Sequence, residues 1–337
     1  MKFAAGLVLI LIFTNTAAYI VDRLKKPGII AMILVGLFFG IPAIKGFFFE
    51  GKEEMIFMLG DAGLVCLMFL AGLKSSPKLL YKEKKDAFII ATAGFLTPLI
   101  LGTAVFLFMG YSFLISLIVG ICLSISAEAT RAKVLMELNR LRTRLGAALI
   151  GAGLADDGIG LILFMGVAVL AGTMNVKEGV LIAATLAAFF TGLAVKMKTG
   201  EGRVTHSLNM VLSLLVVPFF FVSLGMNFNY GALKLDPLIF VVIFFAAVIS
   251  KLLGAFVIKP FTDFSFRQLH LIGWAMNSRG AIEMAIALIA LRAGIIPDKM
   301  YSALIIMALL TTLIFPFVIN TMVKKHPGVM DSKARPG

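Results

Sequence analysis

The sequence predicts an all-α polytopic membrane protein with about eleven transmembrane helices. Of the 337 residues, 60% are hydrophobic and only 15% are charged, and the mean hydropathy is +1.03, a balance that no soluble domain of this size can bury. Apolar runs long enough to cross about 30 Å of hydrocarbon recur along the whole chain. The basic residues fall mainly in alternate connections between these runs, as they do in proteins that cross a membrane repeatedly.

The apolar runs, taken in order, define the predicted spans within a single integral membrane domain, residues 1–337. The first run has the layout of a cleaved signal peptide. However, every strongly basic connection falls on one side of the membrane only if this run is counted as a transmembrane helix. The predicted spans are residues 3–21, 28–44, 55–73, 87–109, 112–136, 145–172, 178–195, 207–226, 237–258, 268–291 and 300–323.

Loop charge predicts the orientation of the chain. Most of the 31 Lys and Arg residues lie in the connections after odd-numbered spans and in the short tail 324–337. Because cytoplasmic loops carry this excess, we expect a multi-pass protein of the cell membrane with its N-terminus outside and its tail in the cytoplasm. The net charge of +13 is explained in this way, and we expect no nucleic-acid partner. The two cysteines, Cys66 and Cys122, are interpreted as small buried side chains.

Two adjacent acids, Asp156 and Asp157, interrupt the apolar run 145–172. A charge at mid-bilayer depth costs at least about 2.5–3.5 kcal/mol on insertion scales, so the pair indicates a functional site. Neighbouring residues of a helix point about 100° apart, and the two acids therefore cannot face the same partner. Lys251 is an isolated cation in the span 237–258, and we expect it to pair with one aspartate while the other lines a water-filled cavity.

Two spans carry too many polar residues to form continuous lipid-facing helices, and we expect breaks near residues 124–131 and 277–283. Broken backbone at this depth is tolerated only where protein or water covers it, and the ends of the half-helices bind ions. One break in each half predicts an inverted repeat, residues 1–172 followed by residues 178–323. In the first break, Glu128 and Arg131 either form a local i,i+3 ion pair or line an ion pathway together with Thr130.

Four segments resemble motifs of the cation:proton antiporter superfamily, in its sodium/proton and Kef-like branch. They occur in family order and span nearly the whole chain. Each motif alone is weak evidence, but four in register are strong. The segments are residues 69–73 (FLAGL), 155–161 (ADDGIGL), 218–226 (PFFFVSLGM) and 277–283 (NSRGAIE).

The resemblance implies a homodimeric secondary antiporter that moves Na⁺ or K⁺ against protons by alternating access, with the ions, the protons and the lipid bilayer as its partners. It implies that Asp157 is the main shared site for cation and proton, and that Asp156 pairs with Lys251. It places Ser126 at a family hydroxyl position in the first break. Three residues of the second break match the crossover helix of the family: Asn277, Arg279 and Glu283.

The sequence departs from the family pattern in two respects. Family members commonly have about two more helices between the aspartate helix and the Pro-Phe-Phe helix, where this chain has only residues 178–195. In addition, Glu128, Arg131 and Lys133 lie where neutral residues are usual. The first departure bears on the dimer interface, and the second bears on ion selectivity.

Other functions remain open at this stage. A sodium-coupled solute symporter or a channel of the same fold also fits the pattern. An intramembrane aspartyl protease fits less well, because its two aspartates share a proton across a catalytic water from separate facing helices, whereas Asp156 and Asp157 are neighbours. We therefore expect a transporter rather than an enzyme, with no cofactor beyond the transported ions.

Overall fold

The computed structural model is all-helical over the residues that it describes. Within this part of the chain, eight helices are long and apolar enough to cross a membrane, or nine if the bent pair over residues 28–49 is one span. At some helical positions, Asp157 among them, only the backbone is described. The described residues are 2–24, 26–74, 84–141, 143–170, 176–199, 203–231 and 236–330.

Each predicted span coincides with one helix or with two shorter helices separated by a break or a bend. The helices are α1 (Lys2–Arg23), α2 (Gly28–Gly40), α3 (Pro42–Phe49), α4 (Glu53–Lys74), α5 (Lys84–Phe108), α6 (Phe113–Ser124), α7 (Glu128–Glu137), α8 (Arg144–Leu170), α9 (Val176–Thr199), α10 (Arg203–Leu215), α11 (Val217–Met226), α12 (Pro237–Val257), α13 (Phe266–Ala275), α14 (Ala281–Arg292) and α15 (Asp298–Lys325), with single 3₁₀ turns at Lys259–Phe261 and Pro327–Met330.

The helices form two compact units, and each unit combines two separate stretches of the chain. Unit 1 consists of Met1–Ser75 and Met174–Leu235, and unit 2 consists of Ser76–Thr173 and Asp236–Gly337. Each unit therefore takes helices from both halves of the sequence. All charged residues of the two predicted breaks, together with Asp156, Asp157 and Lys251, belong to unit 2.

Unit 1 is held together by close backbone packing and by phenylalanine side chains. Helices α2 and α11 meet at Gly36 and Gly225, where a Cβ on either residue would overlap the backbone of the other helix. Such contacts are typical of small residues at helix interfaces in membranes. Around them, Phe39 and Phe49 are fully buried in an apolar cluster. The span predicted at 28–44 is in fact two helices, because the chain bends by 78° at Ile41, directly before Pro42.

Unit 2 contains both broken spans. Helices α6 and α7 are separated by an extended segment at Ile125–Ala127, and α13 and α14 are separated by residues 276–280. Around the breaks, α5, α8, α12 and α15 provide an apolar surround. At one end of the unit, Arg144 at the start of α8 donates a 2.6 Å hydrogen bond to the buried Asp86 of α5. This end also receives the last 3₁₀ turn, in which Met330 is fully buried.

Candidate ion-binding site

The two helix breaks of unit 2 cross at Ala127 and Ser278. The amide of Ala127 donates a hydrogen bond of 2.9 Å to the carbonyl oxygen of Ser278, and the Ser278 hydroxyl donates one of 3.1 Å to the carbonyl oxygen of Ala127. Gly280 allows this approach, because a Cβ there would lie 2.7 Å from the Cβ of Ala127. The breaks expected near residues 124–131 and 277–283 are confirmed. The crossing satisfies backbone groups that the interrupted helices leave without a partner.

Two buried cations bind the carbonyl end of α6. Arg279 Nη1 donates hydrogen bonds to three carbonyl oxygens of this end, at 3.2 Å, 2.9 Å and 2.7 Å for Cys122, Leu123 and Ile125. Lys251 Nζ donates to the carbonyl oxygen of Ser124. The C-terminus of a helix carries a partial negative charge, so cations are favourable there. The two side chains therefore fix the half-helix that leads into the first break.

Lys251 also connects α5 to the first break. Its Nζ donates to the carbonyl oxygen of Gly94 at 2.8 Å and to the hydroxyl oxygen of Ser126 at 2.7 Å. In a continuous helix, the carbonyl of Gly94 would accept from the amide four residues later. That residue is Pro98, inside α5, and proline has no amide hydrogen. Pro98 thus leaves the carbonyl oxygen of Gly94 available to Lys251. The sequence analysis did not predict this acceptor, although a proline within a predicted helix indicates one.

Asp156 lies in the same cluster as these cations and is fully buried on α8. Neither of its carboxylate oxygens has a hydrogen-bond partner among the described residues. It is within electrostatic range of Lys251, Arg131 and Arg279, and the Ser126 hydroxyl faces it. The hydrogen bonds of Lys251 go to Gly94, Ser124 and Ser126, so its interaction with Asp156 is electrostatic.

Asp157 follows on the same helix, and its side chain is outside the described part of the structure. Its predicted role as the main shared site stays a prediction. The backbone position places it next to the cluster around Asp156.

The second break is stabilised by its own polar residues. Glu283, in the first turn of α14, accepts a hydrogen bond of 2.7 Å from the amide of Gly280, so its carboxylate caps this half-helix. Asn277 donates through Nδ2 to the carbonyl oxygen of Gly273 at 3.0 Å. Both residues also present an oxygen, Glu283 Oε2 and Asn277 Oδ1, that has no partner within the described chain. These contacts orient the second break and leave one oxygen of each residue available to a ligand.

Glu128, Thr130 and Arg131 belong to the same cluster. Arg131 is 1% exposed, and its Nη1 donates to the carbonyl oxygen of Leu149 on α8 and lies 3.1 Å from the sulfur of Met276. Its guanidinium is within electrostatic range of Glu128 and of Asp156. Thr130 is buried beside them. The structure therefore brings the unusual charges of the first break to the aspartate helix.

The cluster is suited to binding a hard monovalent cation or a proton. The unpartnered oxygens of Asp156, Asn277 and Glu283 are hard donors of the kind that such cations bind. The fixed cations Lys251 and Arg279 are already engaged by backbone carbonyls, and they therefore reduce the cost of a buried carboxylate without occupying its oxygens.

Known proteins resemble this chain over most of its length. The chain is 24% identical to a Na⁺/H⁺ antiporter of Enterococcus hirae over 386 aligned positions, which cover 96% of this chain and 99% of that protein. It is 24% identical to the Na⁺/H⁺-K⁺ antiporter GerN of Bacillus cereus, with 94% and 95% of the two chains covered. The structure of the sodium proton antiporter MjNhaP1 from Methanocaldococcus jannaschii matches with a TM-score of 0.67 at 17% identity, covering 96% of this chain and 98% of that one, and therefore shares its fold.

The family model for the sodium/hydrogen exchanger transmembrane region matches the chain in two pieces, residues 8–184 and 168–325. The alignment with the E. hirae protein is longer than this 337-residue chain, so that relative has segments that are missing here. The two matched pieces overlap at residues 168–184. Matched over nearly all of its length, the chain belongs to the sodium/hydrogen exchanger family.

Proposed function

We propose that the protein is a secondary antiporter that exchanges a monovalent cation, Na⁺ or K⁺, for protons. One observation carries the proposal: Asp156 is fully buried among cations at the crossing of two broken helices, and its carboxylate oxygens have no hydrogen-bond partner within the described residues. A buried carboxylate left open in this way gains from binding either a proton or a cation. The names of the relatives support Na⁺ as the exchanged cation, and the name of GerN supports K⁺ as well.

The proposed mechanism is competition for the same oxygens. Asp157 is the main site, and Asp156 and Ser126 provide further ligands for the cation. Because two neighbouring carboxylates interact strongly, they titrate as one coupled unit. A cation can then bind only when a proton leaves, and an empty charged site does not cross the membrane. Exchange is therefore obligatory.

Lys251 has two roles in this proposal. It holds the end of α6 and the Ser126 hydroxyl in place, and its charge offsets the negative charge of the aspartates. Arg279 holds the carbonyl end of α6, and Glu283 caps the start of α14, so that the two residues fix half-helix ends on both breaks. Ion movement follows from alternating access of this site to the two sides of the membrane.

The proposal also covers the location, the oligomeric state and the orientation of the protein. It acts in the cell membrane as a homodimer, with the N-terminus outside and the tail 324–337 in the cytoplasm. It performs no covalent chemistry and needs no cofactor beyond the ions that it transports.

The test is cation-triggered proton flux in liposomes that contain the purified protein and a pH-sensitive dye in the lumen. The wild type should change the lumenal pH when Na⁺ or K⁺ is added, and Asp157→Asn and Asp156→Asn should not. Glu54→Gln is a matched control, because this acid is 82% exposed and lies in unit 1. Absence of flux from well-folded wild type would reject antiport, conduction without proton exchange would indicate a channel, and flux that requires an organic solute would indicate a symporter.

A further inference from the structure

Glu128 is packed directly against the aspartate helix. It is the first residue of α7, immediately after the break, and its Cβ would lie 2.9 Å from a Cβ added to Gly153 on α8. Arg131 Nη2 would lie 3.3 Å from the same position. Only a glycine at 153 leaves room for the stem of Glu128 and the guanidinium of Arg131. A carboxylate and a permanent cation thus lie side by side on one face of α8.

This carboxylate lies between the aspartates and the connection 138–143. Helix α8 begins at Arg144, and Gly153 precedes Asp156 by about one turn, or about 4.5 Å along the axis. Glu128 is partly exposed, whereas Asp156 is 0% exposed. The more accessible acid is therefore the one nearer to the end of the unit that carries the connection.

Arg131 joins the two acids electrostatically. Its guanidinium is within electrostatic range of both Glu128 and Asp156. Its position is fixed by the hydrogen bond to the carbonyl oxygen of Leu149. When a transported cation occupies one acid, Arg131 continues to balance the other. A cation moving between them leaves no uncompensated buried carboxylate behind.

We propose that Glu128 is a staging site for the transported monovalent cation, located on the side of the connection 138–143, and that Arg131 is the fixed cation that balances whichever acid is empty. The inference rests on the proposed antiport function and adds a site to it. In a narrow cleft, one additional negative charge raises the local concentration of cations. Glu128 would do so for ions that arrive from the face that loop charge assigns to the cytoplasm.

The test measures the apparent KM for Na⁺ and for K⁺ separately at each face, in everted and in right-side-out membrane vesicles. Glu128→Gln should raise KM about tenfold for cations added at the face of the connection 138–143, and less than about twofold at the other face. Glu128→Asp should keep most of the wild-type affinity. Glu137→Gln, an exposed acid at the far end of the same helix, is the matched control and should change neither value.

A second variant keeps all charges. Gly153→Ala displaces Glu128 and Arg131 and should raise KM at the same face, so the proposal can still be tested if Glu128→Gln folds poorly. An unchanged KM in both variants, or an equal rise at both faces, would overturn the staging role and leave Glu128 as a structural partner of Arg131. Lack of exchange by the wild type would reject the proposed function itself, whereas an active wild type with unaffected variants would reject only the staging site.

Discussion

The two units of the molecule differ in the polar and charged side chains that they bury. Within the described residues, every buried charged side chain lies in unit 2: Asp86, Arg131, Asp156, Lys251, Arg279 and Glu283. The buried polar side chains of unit 1 are Thr14, Thr185 and Ser223. Unit 1 instead brings its helices together through glycines, as at Gly36 and Gly225 and again at Gly72 and Gly192.

This difference predicts different effects of substitution in the two units. Close packing in unit 1 needs only shape complementarity, and a substitution there should change the free energy of unfolding. The charges of unit 2 must be desolvated, which is unfavourable unless they are paired, and hydrophobic residues of similar size are often as stable. We attribute their presence to the proposed ion binding. Substitutions in unit 2 should therefore alter transport beyond any change in stability.

The largest effect is expected for Arg279→Ala. The substitution removes the donor for three carbonyl oxygens at the end of α6 and takes from Glu283 the cation that acts on it most strongly. Breaking a buried charged network of this kind costs about 3–5 kcal/mol. Thermal unfolding in detergent should show the loss, and Arg279→Lys should recover part of it. A change below about 1 kcal/mol would mean that the α6 end is satisfied without this guanidinium.

A smaller effect of a different kind is expected for Gly36→Ala in unit 1. The added methyl group would overlap the carbonyl oxygen of Phe221, and overpacking of this type costs about 1–3 kcal/mol. Transport per folded molecule should stay at the wild-type level. The matched control is Gly46→Ala, because the Cβ position of Gly46 is in open space within the described structure. If Gly36→Ala altered the cation affinity, unit 1 would not be a passive scaffold.

The smallest change in stability, with a clear change in transport, is expected for Ser126→Ala. The substitution removes one hydrogen bond from Lys251, which costs about 1–2 kcal/mol. It also removes the hydroxyl that faces Asp156. We expect the exchange rate in liposomes to fall about tenfold, equivalent to about 1.4 kcal/mol of barrier. Ser124→Ala is the control, since that hydroxyl donates only to Gly120 within its own helix. Equal rates for the two variants would argue against a role of the Ser126 hydroxyl in the site.

Hydropathy and polar interruptions were sufficient to predict the helical fold and both breaks. The bend at Ile41 was missed, although Pro42 marks it, because the apolar run continues through residue 44. The division into two units could not be read from the sequence, since it joins residues 1–75 to residues 174–235. Such long-range pairing depends on tertiary packing.

The structure brings together charged residues that the sequence selected as candidates, but the sequence did not predict their hydrogen-bond partners. We expected Lys251 to pair with an aspartate, and it lies within electrostatic range of Asp156, while its hydrogen bonds go to two carbonyl oxygens and to Ser126. The path of the chain through a break decides which carbonyl oxygens lack a backbone hydrogen-bond donor, and the sequence does not give this path. The contact between Glu128 and Gly153 joins two helices and has no signature in the spacing of the residues.

The central claim is that cation and proton compete for the aspartates of unit 2. It is tested most directly by adding NaCl or KCl to purified wild type in weakly buffered detergent solution and recording proton release with a pH indicator, with choline chloride as the control for ionic strength. The account predicts saturable proton release on addition of the alkali cation and none from the Asp156→Asn, Asp157→Asn double variant. Saturable cation binding without proton release, or equal release from the double variant, would contradict it.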